Sequence, residues 1–168
     1  MTTLYALPYD ISASGFYFNS VDEFQKKFAE NKSEEGYPIE EYEIQFIDGE
    51  TIDAQLFNAL YVSQVNYGYF LAACDDWDDD QKAKVIIAVG EVGYEFDLES
   101  DTSDKFEIDI YEMDSLKELA EHFVDEGILG EIPDNMRYYF DCEAFARDLA
   151  VEYSETTIAG KKLIYRCD

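Results

Sequence analysis

Acid covers the whole length of this chain, and any fold it adopts must accommodate that. Residues 1–60 hold 12 Asp and Glu against 3 Lys and Arg, residues 61–105 hold 11 against 3, and residues 106–168 hold 16 against 6. The three segments therefore carry −9, −8 and −10 of a net −27. Charge of one sign at this density opposes the compact state through self-repulsion. An acidic tail would gather it at one end, and a lone binding site would gather it in one cluster. Disorder is the usual fate of such a chain when apolar residues are scarce. Here 47% of residues are hydrophobic and 16% aromatic, so cores can form. Halophilic adaptation also loads surfaces with acid, but it does not call for this wealth of aromatic rings.

Cys74, Cys142 and Cys167 are odd in number and lack metal-site spacing, which fits a reducing cytoplasm. Met1–Ala6 shows no basic segment leading into a long apolar run, so no signal peptide is expected. No apolar stretch approaches the length of a membrane span. DNA and anionic membranes should both repel this surface. The expected partner is a basic protein, with no cofactor and no metal.

Hydrophobic periodicity predicts an α+β fold of three small domains, at residues 1–60, 61–105 and 106–168. In the first, Leu4–Leu7 and Gly15–Asn19 read as strands. Ser20 and Glu23 have capping-box spacing, and Val21, Phe24 and Phe28 follow at helical intervals. Lys32–Gly36 is polar loop. Tyr42, Ile44 and Phe46 alternate with polar residues as a half-buried strand, closed by the turn signal Asp48-Gly49. From Thr51 the period becomes helical, with Leu56, Phe57 and Leu60 on one face and a weakening expected at Gly68. Asp75–Asp80 interrupts the stretch, with Asp78 or Asp79 capping a helix that carries Ala83, Ile86, Ile87 and Val89. Asp97–Lys105 reads as a charged connector. In the last segment Phe106, Ile108 and Ile110 predict a strand. Ser115 and Glu118 predict a helix carrying Leu116, Leu119, Ala120, Phe123 and Val124 and ending at Gly127. Pro133 suits the first turn of a short helix. Asp141 should cap another helix that turns Phe145 and Leu149 inward, and Ala159-Gly160 should join a closing hairpin.

Chemistry has few footholds. Asp76, Asp78 and Asp80 match the first ligands of a calcium loop, but Gln81 stands where that loop needs Gly and Ile87 where it needs Glu. A solvated helix start accounts better for the run. His122 sits beside an apolar stripe with no recognisable nucleophile or acid partner. Where carboxylates abound, any chosen hydrolytic pair is uninformative. No phosphate-binding glycine loop or nucleophile elbow is present. Arg137 and Arg147 lie among Asp134, Asp141, Glu143 and Asp148, a setting for internal salt bridges or a subunit contact. The expectation is a binding protein rather than an enzyme.

Duplex DNA carries one charge per about 1.7 Å of axis, so −27 corresponds to about 46 Å, or about 13–14 base pairs. A 168-residue globule would have a radius of gyration of only about 15 Å. Imitating a nucleic-acid backbone would therefore favour three segments strung in a row, which also moves like charges apart. The acids expected to stand for phosphates are Asp22, Glu23, Glu30, Glu34, Glu35, Glu40, Glu41, Glu43, Asp48 and Glu50 in the first segment. In the second they are Asp75, Asp76, Asp78, Asp79, Asp80, Glu95, Asp97, Glu99, Asp101 and Asp104. Glu107, Asp109 and Glu112 complete the set.

Leu129-Gly130-Glu131-Ile132-Pro133, then Tyr139-Phe140-Asp141, then Ala146-Arg147-Asp148-Leu149 resemble the signature stretch of the ArdA antirestriction family. Gly15-Phe16-Tyr17-Phe18 before an acidic helix is a weaker likeness to that family's opening, without its Tyr-Asn-x-Gly and without a Trp. The resemblance implies an elongated dimer, encoded on plasmids or transposons and acting in the bacterial cytoplasm. It would imitate bent B-form DNA in the binding groove of type I restriction–modification enzymes, on the methyltransferase core with its specificity subunit. It also implies that the signature residues serve chiefly dimer assembly. The rival reading is an acidic module for another basic protein, such as a histone-like protein or a repressor. A weaker rival is a hydrolase with an unrecognised carboxylate pair.

Overall fold

The structure, a computed structural model, describes residues Met1–Cys167. Helices and two antiparallel sheets are built along the chain, and the residues gather into two compact units, Met1–Phe106 and one beginning at Glu107.

In the first unit, β1 (Thr3–Pro8) is the centre of a sheet ordered β2-β1-β3, with β2 at Phe16–Phe18 and β3 at Tyr42–Asp48. Alternation in β1 buries Leu4 and Ala6 on one side, as the period-2 pattern requires. Gly15 passes so close to the Tyr5 ring and the Ala6 carbonyl that any side chain there would clash. Helix α1 (Val21–Glu30) is capped by Ser20, whose hydroxyl accepts from Glu23 N at 3.2 Å. The Glu23 carboxylate reaches back one residue further than a capping box, to Asn19 N at 3.0 Å. The α1 side chain Phe24 meets Phe18 at 4.9 Å and Tyr67 at 4.4 Å between ring centroids. Such aromatic pairs add to the area they bury.

The helical stretch that follows differs from expectation in two places. Helix α2 (Thr51–Ala59) stops because Tyr61 takes a left-handed backbone (φ 49°) and Val62 N returns to Phe57 O at 3.4 Å. That is the helix ending usually given to glycine. Gly68, expected to weaken the helix, lies inside α3 (Tyr67–Asp76), where a Cβ would come within 3.2 Å of Val21. It permits close packing rather than a break. Asp78, not Asp79, caps α4 (Asp79–Val85), with a full capping box to Gln81. A π-helical turn, Ile86–Glu91, carries buried Ile86, Ile87 and Ala88 onward. The expected boundary at residue 60 falls within this unit, where Phe18 of β2 and Tyr67 of α3 are 5.3 Å apart. Asp97–Lys105, expected as a charged connector, closes the first unit just before its boundary at Phe106 and packs into that unit. Ser103 is buried, and the Lys105 ammonium lies over the Phe96 and Phe106 rings.

In the second unit the sheet order is β4-β6-β5, from Ile108–Glu112, Lys161–Cys167 and Ser154–Ile158. Phe106, expected within the strand, precedes it and stacks on Tyr94 instead. Ala159 and Gly160, both at positive φ, form the tight turn of the β5–β6 hairpin. Helix α5 (Leu116–Asp125) is capped by Ser115 and ends at Gly127, with Ile128 N returning to Phe123 O. Pro133 precedes rather than enters the single-turn helix α6 (Asp134–Arg137). Asp141 caps α7 (Cys142–Leu149), accepting from Glu143 N and Ala144 N. The core is Leu119, Phe123, Tyr153 and Ile164, with Phe145 and Leu149 packed against it. Replacing Ser20 or Ser115 by Ala should lower the unfolding free energy by about 1 kcal/mol each, read as a shift in urea midpoint.

Candidate functional site

Carboxylates dominate the surface of both units, so the useful distinction is between acids engaged internally and acids that are not. Twenty of the 23 acids expected to stand for phosphates are exposed; Glu23, Asp101 and Asp109 are half-buried. Those three are held in ion pairs. Glu23 meets Lys27 at 2.7 Å, Asp101 meets Lys105 at 2.7 Å, and Asp109 meets Arg166 at 2.6 Å. The Lys27 ammonium and Asn19 N–H hold the Glu23 carboxyl below its ordinary range. Asp97 N–H and then Lys105 do the same for Asp101.

A second group is engaged more lightly. Asp78 accepts from Gln81 N, Glu43 from Gln45 Nε2 at 3.0 Å, and Glu112 from Lys161 at 3.4 Å. Asp97 closes its own turn, accepting from Glu99 N at 3.0 Å and Ser100 Oγ at 2.9 Å. Glu99 faces the Tyr69 hydroxyl, and its hydrogen bonding and charge raise that phenol above its ordinary pKa.

The remaining exposed carboxylates have no hydrogen-bond or ion-pair partner among the described residues. They are Asp22, Glu30, Glu34, Glu35, Glu40, Glu41 and Asp48, then Asp75, Asp76, Asp79 and Asp80, then Glu95, Asp104 and Glu107, while Glu50, also exposed, acts through its charge on the buried Lys82. Helix geometry presents the central set: Asp75 and Asp76 end α3, while Asp79 and Asp80 open α4, where the helix dipole favours them. This break also divides the calcium-like spacing. Asp76 belongs to one helix end, and Asp78 is committed to capping the next.

The signature residues lie on the second unit. Leu129, Gly130, Glu131, Pro133, Tyr139, Asp141, Arg147 and Asp148 are exposed, and Ile132, Phe140, Ala146 and Leu149 are half-buried. Around them Ile128, Met136 and Tyr138 are exposed as well, Tyr138 to 91%. Arg137 is tied to Asp125 at 2.7 Å and Asp134 at 3.8 Å, so one arginine of the expected pair is internal. Arg147 has no ion pair among the described residues. His122 sits at the edge of α5, its ring near Tyr111 and Phe123.

Sequence reading left out one acid that behaves unlike the rest. Asp53 of α2 is buried with Lys82 of α4, their charged atoms 2.8 Å apart and the side chains 5% and 4% exposed. Thr2 Oγ1 donates to Asp53 at 3.2 Å, and Lys82 donates to Cys74 O at 2.9 Å. Burial and the Asp53 charge push the adjacent Cys74 thiol up to about 12. Cys74 should therefore resist iodoacetamide at pH 7.5 until the chain is denatured, as peptide mass mapping would show, because the thiolate is the reactive form.

No group of His, Cys, Asp and Glu able to hold a metal ion occurs among the described residues. Likewise no helix there is long and apolar enough to cross a membrane. No curated protein matches the chain. The family model described as antirestriction protein (ArdA) matches residues 17–161, nearly the whole sequence.

Proposed function

The chain belongs to the ArdA antirestriction family, and we propose that it blocks restriction by standing in for DNA. In this reading its exposed carboxylates occupy phosphate positions in the DNA-binding groove of a type I restriction–modification enzyme, on the methyltransferase core with its specificity subunit. Restriction and modification of incoming DNA are both prevented. The observation that carries the reading is the set of exposed carboxylates left without internal partners, spread from Asp22 to Glu107. A groove lined by Lys and Arg positions DNA through phosphates, so a protein matching those contacts is bound whatever the enzyme's recognition sequence. Affinity then comes from many modest contacts and steered association.

The protein acts in the cytoplasm of a bacterial host, from a gene on a plasmid or transposon. It works as a homodimer in which the exposed apolar residues Ile128, Leu129, Met136, Tyr138 and Tyr139 of the signature region are covered by a second copy. The acids would be set along an extended, bent body of three segments.

Displacement of labelled duplex from a purified type I methyltransferase tests this. Stoichiometric displacement, indifferent to recognition sequence and weakened by salt, is expected. A folded dimer that displaces nothing at low salt would turn the reading toward another basic partner. Salt should act on the protein alone with the opposite sign. Raising NaCl from 20 to about 300 mM should increase its melting temperature by several degrees, because screening relieves the self-repulsion of −27 charges.

A further inference from the structure

The geometry points to a socket in the first unit, between α3 and the Phe96–Glu99 segment, that takes one long cationic side chain of the bound protein. This deepens the DNA-mimic reading and rests on it for the identity of the partner. The cavity holds about 120 Å³. That is room for about four water-sized groups and far below what a small-molecule ligand requires. Its walls are Leu60, Val65, Phe96 and Leu98, apolar surface suited to a methylene stem. The Tyr69 ring lines it as well, and Asp97 and Glu99 supply carboxylates. Stem and head of a lysine or arginine thus both find their complement.

Two features distinguish this place from the rest of the acidic surface. One of its carboxylates is fixed before any partner arrives, Asp97 by Glu99 N and Ser100 Oγ, and the Glu99 charge lies beside the Tyr69 phenol, whose pKa it raises. Preorganised groups lose less freedom on binding than mobile surface acids do. The protein's own cations also leave it open. Lys105, 5.8 Å from the Phe96 ring centre, is committed to Asp101 at 2.7 Å and to Glu95 O at 2.8 Å. By contrast, the acidic cleft of about 640 Å³ between Val124 and Arg137 already holds a cation, because Arg137 pairs there with Asp125. Distributed charge therefore steers the partner, and this socket adds one localised contact whose apolar part, against Leu60, Val65, Phe96 and Leu98, does not depend on charge and is not screened by salt.

Val65→Trp fills the socket without changing charge at a residue 89% exposed, and Glu99→Gln removes one carboxylate. Each should weaken methyltransferase binding about 10-fold at low salt, the Val65→Trp loss persisting at raised salt and the Glu99→Gln loss shrinking. Glu121→Gln, an exposed acid outside the set assigned to phosphate positions, should stay within about two-fold. A Val65→Trp protein that binds like the parent overturns the socket. Independently of that enzyme, N-acetyl-lysine amide and N-acetyl-arginine amide should give saturable NMR shifts at Leu60, Tyr69 and Leu98. N-acetyl-norleucine amide should not, nor should either cation with the Val65→Trp variant. Shifts that fail to saturate and spread over all acidic residues overturn the proposal too. Saturable probe binding without any methyltransferase binding by the parent would sink the DNA-mimic reading and leave the socket standing.

Discussion

If the chain acts as the proposed DNA mimic, changing Asp75, Asp76, Asp79 and Asp80 together to Asn should lower its affinity for a type I methyltransferase by about 50-fold or more. Any one of the four changes alone should lower it by about two- to five-fold. The estimate follows from the scale of exposed ion pairs, each of which contributes little in high dielectric. Their sum becomes large because all four carboxylates sit at one helix junction and have no internal partner to fall back on. Asp78 is left in place because it caps α4, and its loss would confuse a binding effect with a folding one. The measurement is displacement of labelled duplex over a range of salt, with melting temperature recorded alongside. The quadruple variant should also show a shallower dependence of log affinity on log salt, since fewer ion contacts form. If one Asn substitution abolished binding, the picture of many modest contacts would fail.

The same junction shows how far the sequence could be read. Capping residues were legible wherever their side chains act locally: Ser20, Asp78, Ser115 and Asp141 each cap the helix expected of them. The β5–β6 turn was legible for the same reason, since two residues set its backbone. Failures came where tertiary contact or unusual chemistry replaced the local signal. Glycine marks the end of α5 at Gly127, but α2 ends by the same geometry at Tyr61, a residue with no such reputation. Gly68 conversely looked like a breaker and serves close packing against Val21. Phe106 continued the alternation of a strand but was drawn into a stack with Tyr94 and Phe96.

The candidate surface was legible as charge and not as arrangement. Exposure of most acids follows from composition alone, because so many carboxylates cannot be buried. Which of them are already paired depends on where twelve bases fall in space. The pairing of Asp109 with Arg166 spans 57 residues and is invisible in the sequence. Asp53 did leave a trace. It stands three residues before Leu56 and seven before Leu60, on the buried stripe of α2, and Lys82 likewise precedes Val85 and Ile86. A charge on each of two apolar stripes is a signal for a buried pair, and Asp53 was left out of the sequence reading without being given that role.

Asp53→Leu should be the most damaging single substitution among the acids, destabilising the protein by about 3–5 kcal/mol, because it strands the Lys82 ammonium among buried side chains. The double change Asp53→Leu with Lys82→Met removes both charges, and its urea midpoint should recover most of the loss. Alkali supplies a second reading of the same pair. Burial works against the Lys82 charge, but Asp53 outweighs it through a hydrogen bond and opposite charge, and the pKa of Lys82 rises above its ordinary 10.5. A raised value in the folded state means that the pair's contribution is complete below 10.5 and is lost as pH climbs through the folded value. Unfolding curves of the parent should therefore weaken above that point in a way the double variant does not share. Equal stability of Asp53→Leu and parent at pH 8 would show that the two charges do not depend on each other. The interior would then be far more polar than the 4% and 5% exposures of these side chains imply.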